Sequence, residues 1–221
     1  MSTIQSLKIQ KRALRKAIGS KLSAIPTQSI QEQSYSIIQR LGSFPAFSRS
    51  KSLSCYLSML SGEVDTSSLV SEILDSGRTL FVPKITNRSG EMEFLKLYGK
   101  ADLASLPNGV WGIKEPDSDW QELDLILLPA VAFDRNFARL GHGKGYYDRF
   151  ITKYQTTFHK KPLLENYPFF RLVGLALREQ LLEKERIPID KHDWSMDFIV
   201  TPDEVLANSS PVSFDASENA G

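Results

Sequence analysis

The spacing of apolar side chains predicts two helices at the start of the chain. Between residues 5 and 22, Leu14, Ile18 and Leu22 recur four residues apart, and Pro26 lies where a helix could not continue. A second helix is predicted over residues 29–42, because Ser29 and a glutamate three residues later have the spacing of a capping box.

Short apolar runs predict strands farther along the chain. They span residues 52–59, 79–85, 92–97, 123–129, 171–177 and 197–201. The second and third runs are expected to form a hairpin around residues 87–90. Residues 123–129, LDLILLP, form an unbroken apolar run, which is typical of a strand covered on both faces, so we place this strand at the sheet centre.

Helical patterns separate several of these strands, at residues 65–77 and 146–154, whereas residues 102–120 are rich in Pro, Gly and Asp and predict a long loop. Strands that alternate with helices favour a mostly parallel sheet with helices on both faces. We therefore predict one three-layer α/β/α domain, Rossmann-like, over residues 1–206. The polar tail, residues 207–221, is expected to be disordered.

Composition and charge exclude several classes of function. The 221 residues carry a formal net charge of +1, which gives no global attraction to nucleic acid or to a membrane. Cys55 is the only cysteine, so neither an internal disulfide nor a cysteine-based zinc site can form. No apolar run approaches the roughly 20 residues that span a bilayer. We expect a soluble, monomeric protein in the cytoplasm.

The start of the chain leaves a mitochondrial location open. No acidic residue precedes Glu32, while six lysines and arginines do, and basic segments poor in acids are typical of mitochondrial presequences. Two of these cations, Lys11 and Arg15, are four residues apart and would project from one helix face. They could bind one anion together or could simply be solvated.

Residues 139–148, RLGHGKGYYD, carry the most informative motif. Three glycines alternate with His142 and Lys144, so the backbone can approach a ligand closely, and its N–H groups can bind phosphate oxygens. The spacing fits neither a Walker A loop nor a GxGxxG fingerprint. A flexible connection is the alternative, but the position after a buried strand, with Arg139 and Asp148 nearby, favours a phosphate site.

This motif resembles the ATP loop of the 5-formyltetrahydrofolate cyclo-ligase family, and the likeness extends through most of the chain. The matching segments are KRALR at 11–15, LSM at 57–59, Glu63 with Asp65 and Thr66, VPK at 82–84, WGIKEP at 111–116, LPAVAFD at 128–134 and HD at 192–193. The chain departs from the family pattern at Ala130 and Phe137, where glycine is usual, and at His142. We therefore expect the turn before the loop to use another residue, Asn136.

The resemblance implies a role for each of several residues. It implies ATP binding by Lys11, Arg15, Arg139, Leu140, Gly141, His142, Gly143, Lys144, Gly145, Tyr146 and Tyr147. It implies catalytic roles for Lys144, Arg139 and Tyr147, and Mg²⁺ binding by Asp148 and Asp193. It implies a folate pocket formed by Leu57, Met59, Glu63, Trp111, His142, Tyr146 and Tyr147. Without the resemblance, such Met and aromatic side chains are as often core residues as pocket walls.

The activity that the resemblance implies is the ATP- and Mg²⁺-dependent conversion of 5-formyltetrahydrofolate to 5,10-methenyltetrahydrofolate in folate one-carbon metabolism. Phosphorylation of the formyl oxygen would activate that carbon for attack by N10, with release of ADP and phosphate. Two other functions stay open, because a fold does not fix a reaction. One is an ATP-independent enzyme acting on sugar phosphates or coenzyme A, and the other is a non-catalytic folate-binding protein.

Overall fold

The main sheet has the predicted α/β topology. A computed structural model describes residues 3–59, 62–85, 91–105, 123–158 and 170–209. Within these ranges the sheet has seven strands: β1 (Ser52–Ser54), β2 (Thr79–Ile85), β3 (Met92–Leu97), β4 (Leu125–Leu128), β7 (Arg171–Leu175), β9 (Phe198–Val200) and β10 (Val205–Ala207). Their order is β10-β9-β7-β4-β1-β2-β3. The five inner strands are parallel, and both edge strands pair antiparallel.

Two strand predictions are confirmed by this order. The apolar run at 123–129 forms β4, which occupies the middle of the seven strands. The predicted hairpin corresponds to the antiparallel pair β2 and β3, and the turn predicted at residues 87–90 lies outside the described residues. At the other edge, β10 extends to Ala207, one residue past the predicted end of the domain, and residues 210–221 lie outside the described ranges.

Six helices are described: α1 (Thr3–Leu22), α2 (Thr27–Gly42), α3 (Pro45–Ser48), α4 (Ser67–Asp75), α5 (Lys100–Ser105) and α6 (Tyr146–Phe158). The predicted capping box is wrong, because α2 begins at Thr27 and Ser29 instead accepts a hydrogen bond from Gln33. Helix α5 covers the start of the predicted loop at 102–120, and the rest of that loop lies outside the described residues.

The alternating side chains of β4 define three layers. Leu125 and Leu127 pack in one core with side chains of α2 and α4, whereas Ile126 and Leu128 pack in a second core with Phe150 and other residues of α6. All four β4 residues are fully buried. This two-sided burial explains the unbroken apolar run and confirms the three-layer prediction.

A second, three-stranded sheet was not predicted. It consists of β5 (Ala132–Asp134), β6 (Arg139–Leu140) and β8 (Leu181–Leu182), in the order β6-β5-β8. The buried carboxylate of Asp134 fixes the turn between β5 and β6, because Oδ1 accepts the N–H groups of Asn136 and Ala138 at 3.0 and 3.1 Å. Phe137 takes a φ of 64°, so the expectation that Asn136 replaces the missing glycine is wrong.

Helix α1 packs on the small sheet. Its buried Ile18 and Leu22 share a core with Val131, Ala132 and Leu140. The basic segment therefore forms part of the folded domain. None of the described helices is both long and apolar enough to cross a membrane.

Candidate functional site

The order of the parallel strands creates a cleft between β1 and β4. From β1 the chain continues to β2 on one side, whereas β4 lies on the other side of β1 and is followed outward by β7 and β9. Ligands of such open sheets bind beyond the carboxyl ends of the strands where the direction reverses. A cavity of about 300 Å³ opens there, lined by Arg15, Gly19, Leu22, Ser23, Met59, Gly62, Val131 and His142.

The glycine-rich loop contacts α1 at one wall of this cavity. Arg15 Nε donates a 2.7 Å hydrogen bond to the carbonyl oxygen of Gly141. Gly143 has a φ of 95°, and a Cβ added to it would lie 3.3 Å from the guanidinium of Arg15. The backbone angle therefore favours glycine at this position, and the Arg15 guanidinium would have to shift slightly to admit a Cβ. The loop and α1 together present a positively charged surface.

The cations of this region differ in how they are paired. Lys144 is exposed and makes no ion pair with any described residue. Arg139 is buried, with Nη2 2.7 Å from Asp148 Oδ2 and Nη1 3.3 Å from the carbonyl oxygen of Pro129. Because Asp148 already pairs with Arg139, a phosphate at Arg139 would have to share the guanidinium with this carboxylate.

The two predicted metal ligands lie near each other. The backbone N–H of Trp194 donates to Asp148 Oδ1 at 3.3 Å, which brings the neighbouring Asp193 to the start of α6. Asp193 Oδ2 pairs with Lys11 and accepts the N–H of Asp190 at 2.6 Å, while its Oδ1 has no hydrogen bond within the described ranges.

These carboxylates fit only a metal that needs few protein ligands. Across the described residues, no group of three or more His, Cys, Asp or Glu side chains could hold a metal ion. Mg²⁺ is commonly bound through one or two carboxylates, with water and phosphate oxygens as the other ligands. Asp193, with one oxygen available, fits this pattern better than Asp148, so the magnesium site stays a prediction.

Glu63 and His142 face each other beside the cavity. Glu63 Oε1 lies 3.6 Å from His142 Nε2, and Glu63 Oε2 accepts the N–H of Met59 at 3.1 Å. Burial raises the pKa of Glu63, although the hydrogen bond from Met59 opposes this shift. Burial lowers the pKa of His142, and the charges of Arg139 and Arg15 lower it further. A neutral imidazole therefore lies next to a carboxyl group that is only 6% exposed.

The other predicted pocket residues differ in exposure. Met59 is 55% exposed and lines the cavity, whereas Leu57 packs against the core next to α2 and α4. Tyr146 and Tyr147 pack partly against the core next to α6. The hydroxyl of Tyr147 is buried without a hydrogen bond to any described residue, and burial raises its pKa. Trp111 lies outside the described residues.

Two buried polar residues near the site were not among the predicted ones. Asp134 fixes the turn that leads into the glycine-rich loop, and Gln180 contacts the backbone on both sides of the cleft. Both were hard to find, because each acts on backbone groups that only the folded chain brings together. In the sequence, the one feature that pointed to Asp134 and Gln180 is that each polar residue lies next to an apolar run.

Comparisons with known proteins agree on one family. A model of the 5-formyltetrahydrofolate cyclo-ligase family matches residues 7–202. The 5-formyltetrahydrofolate cyclo-ligase of Saccharomyces cerevisiae is 35% identical over 87% of this chain and 95% of its own length. The Mus musculus protein of the same name is 32% identical over 92% and 96%. The NMR structure of Aquifex aeolicus 5,10-methenyltetrahydrofolate synthetase matches with a TM-score of 0.70 and 29% identity, covering 96% of this chain and 99% of that one.

Proposed function

The chain belongs to the 5-formyltetrahydrofolate cyclo-ligase family, and we propose that it converts 5-formyltetrahydrofolate to 5,10-methenyltetrahydrofolate with consumption of ATP. One observation is the main support for ATP binding in this proposal. The glycine-rich loop and Arg15 of α1 form a single basic surface at the cleft between β1 and β4. Backbone N–H groups and fixed cations at such a place suit a triphosphate.

The reaction needs activation because the formyl group on N5 is an amide. Its oxygen would attack the γ-phosphorus of ATP, breaking the bond to the bridging oxygen and releasing ADP. The formyl carbon, now bonded to the phosphorylated oxygen, is open to attack by N10, which forms the new C–N bond. N10 loses its proton to solvent, and the C–O bond breaks, so that the formyl oxygen leaves as part of inorganic phosphate. In this scheme the protein positions both substrates and neutralises charge, with no covalent enzyme intermediate.

In this proposal, residues on one side of the cleft would bind the phosphates and residues on the other side would bind the pterin. The N–H groups of residues 141–145, together with Arg15 and Lys144, would bind the phosphates. Glu63 would accept hydrogen bonds from the pterin, and Met59 with His142 would contact it from the cavity wall. Asp193, supported by Asp148, would hold magnesium, which when bound neutralises charge on the leaving diphosphate.

Three residues complete the proposed site on the strength of the family pattern. Lys11 would join Arg15 at the phosphates, which requires its pair with Asp193 to open. Tyr147 would orient the reacting groups next to Arg139, whose guanidinium carbon lies 5.6 Å from the tyrosine ring centre.

The direct test mixes purified protein with ATP, MgCl₂ and 5-formyltetrahydrofolate and follows the methenyl product by its near-ultraviolet absorbance. We expect product and ADP in equal amounts, and neither when ATP or magnesium is omitted. Product without ADP would reject the ATP-dependent reaction. Folate binding with neither product nor ADP would instead identify a folate-binding protein.

A further inference from the structure

Gln180 is a fully buried amide next to the cleft. It ends the 3₁₀ turn Arg178–Gln180, which follows β7, and it is 1% exposed. The backbone N–H of Leu177 donates to its Oε1 at 2.9 Å. Because a backbone N–H can only donate, this bond fixes the orientation of the amide and turns its NH₂ group toward the cleft.

The NH₂ group of Gln180 contacts the backbone on both sides of the cleft. Its Nε2 donates to the carbonyl oxygen of Ala130 at 2.6 Å, and it lies 3.4 Å from the carbonyl oxygen of Gly62. Ala130 follows β4 and precedes Val131, which lines the cavity. Gly62 lies between β1 and α4, lines the cavity itself and directly precedes Glu63. One side chain thus connects the loops after the two strands that border the cleft.

Gly62 has a backbone angle and a close neighbour that favour glycine. Its φ of 78° lies in the left-handed region, and an added Cβ would meet the Leu22 side chain of α1 at 3.4 Å. Gly62 therefore lies between the Leu22 side chain of α1 and Gln180, whose amide faces the carbonyl of Gly62. A shift at this carbonyl would carry the adjoining Glu63 carboxylate with it, because the two residues share a peptide bond.

We propose that Gln180 is a positioning residue that sets the separation of the two cleft walls and the place of Glu63 for the folate substrate. This inference rests on the proposed function and adds a residue to it. The role requires an acceptor for Leu177 and two donors for the carbonyls of Ala130 and Gly62, and a primary amide supplies all three. An apolar side chain would leave these buried backbone groups unpaired.

Gln33 offers a matched control. It is also a buried glutamine, 3% exposed, and its Oε1 accepts the N–H of Arg178 in the same turn at 2.9 Å. Its NH₂ group, however, contacts Ser29 and Glu179 and neither cleft loop. A Gln33→Met change therefore removes a comparable set of buried hydrogen bonds without touching the walls of the cavity.

The test compares Gln180→Met and Gln33→Met with the wild-type protein. For Gln180→Met we expect kcat/KM for 5-formyltetrahydrofolate to fall about 10- to 100-fold while KM for ATP changes less than about threefold, since small displacements of positioning groups have effects of this size. For Gln33→Met we expect both constants to stay within about threefold of wild type. Equal changes in the two variants would overturn the proposal.

A second readout needs no substrate. Hydrogen exchange measured by mass spectrometry should show faster exchange around residues 62–66 and 130–133 in Gln180→Met, and unchanged exchange there in Gln33→Met. If the wild-type protein forms no methenyl product, the proposed function is refuted. The exchange measurement still tests the positioning role of Gln180 in that case. If Gln180→Met does not fold, Gln180→Glu keeps the size and the acceptor, and in its ionised form it has no donor for the carbonyls of Ala130 and Gly62. Wild-type exchange in the folded variant would overturn the proposal.

Discussion

At the scale of single residues, the cations around the cleft are available to a ligand to different degrees. Lys11 pairs with Asp193 and Arg139 with Asp148, while Arg15 donates to a backbone carbonyl. Lys144, exposed between Gly143 and Gly145, has no such partner among the described residues. A cation without an internal partner can meet a phosphate without first breaking a contact, which makes Lys144 the strongest candidate for charge neutralisation during phosphoryl transfer.

We predict that Lys144→Ala lowers kcat by about two orders of magnitude, because one preorganised charge contact contributes ~3 kcal/mol in the transition state. The melting temperature should stay within about 2 °C of wild type, since the side chain is exposed. Steady-state kinetics and thermal unfolding measure both effects, with Lys153→Ala on the exposed face of α6 as the control. A folded Lys144→Ala enzyme with wild-type kcat would remove Lys144 from the reaction.

The contact between Glu63 and His142 predicts a pH dependence. Burial, Arg139 and Arg15 lower the pKa of His142 below its usual 6.5, so the imidazole is neutral at pH 7. Its favourable contribution to folding is complete above pH 6.5 and is lost as the pH falls through the lowered pKa. In the same range the imidazolium that forms, 3.6 Å from Glu63, would compete for that carboxylate with the folate that we propose it binds.

We therefore predict that KM for 5-formyltetrahydrofolate rises as the pH falls below 6.5, and that His142→Asn weakens this rise. Protonation of Glu63, whose own pKa is raised by burial, persists in the variant, so comparing the two KM profiles isolates the histidine. Identical profiles for the wild type and His142→Asn would show that the histidine does not compete for Glu63.

At the scale of secondary structure, α1 carries buried apolar residues and two cations of the candidate site on one face. Lys11, Arg15, Ile18 and Leu22 follow one another at intervals of three or four residues and so project together. Ile18 and Leu22 bury this face against the small sheet, which holds Arg15 against the carbonyl of Gly141. The packing of the apolar half of the helix thereby orients its basic half.

We predict that Arg15→Met raises KM for ATP about 10-fold or more, because it removes both a cation and a contact that fixes the glycine-rich loop. Arg12→Met is the matched control, since Arg12 is exposed on the same helix. Nucleotide titration and steady-state kinetics at constant ionic strength separate the two variants. Equal effects in both would indicate that α1 contributes only general positive charge.

The elements that the sequence predicted well are those with strong local patterns. The apolar run of β4 and the β2–β3 hairpin were found because long alternating or continuous apolar segments are informative by themselves. Strands β5, β6 and β8 were missed, whereas the similarly short β1 and β9 were found within longer predicted apolar runs. The pairing of the missed strands depends on tertiary contacts, such as the buried Asp134 turn, that no local pattern encodes.

Some features of the candidate site could likewise be predicted from the sequence, and others could not. The alternating glycines and the Lys11–Arg15 spacing were visible in the sequence, and the structure brings Arg15 to the glycine-rich loop. The pairing of Arg139 with Asp148 and the role proposed for Gln180 were not visible, because they depend on distances between segments far apart in the chain. The left-handed Phe137 contradicted the usual preference for glycine, since neighbouring hydrogen bonds to Asp134 and from Met196 fix its backbone.

At the scale of the whole molecule, one close contact joins the two sheets. Phe133 of β5 is fully buried and packs directly on Gly174 of β7. A Cβ added to Gly174 would lie 2.4 Å from Cε1 of that ring, a distance that no packed core tolerates. The small sheet supports both α1 and the glycine-rich loop. It can pack closely on the main sheet at this point because Gly174 has no side chain.

We predict that Gly174→Ala lowers the free energy of unfolding by about 1–3 kcal/mol through overpacking. Chemical denaturation monitored by circular dichroism measures the loss. Gly42→Ala at the end of α2 is the control, because an added Cβ there meets nothing within 4 Å. A Gly174→Ala protein as stable as wild type would mean that the two sheets can separate at this contact without cost.

The proposed function requires the triphosphate to bind the glycine-rich loop beside the cavity that takes the folate. A crystal structure with a non-hydrolysable ATP analogue, MgCl₂ and 5-formyltetrahydrofolate would locate both ligands. We expect the phosphates within hydrogen-bond distance of the N–H groups of residues 141–145 and of Arg15, with the formyl oxygen facing the γ-phosphate. Phosphates bound away from this loop, or a folate outside the cleft between β1 and β4, would contradict it.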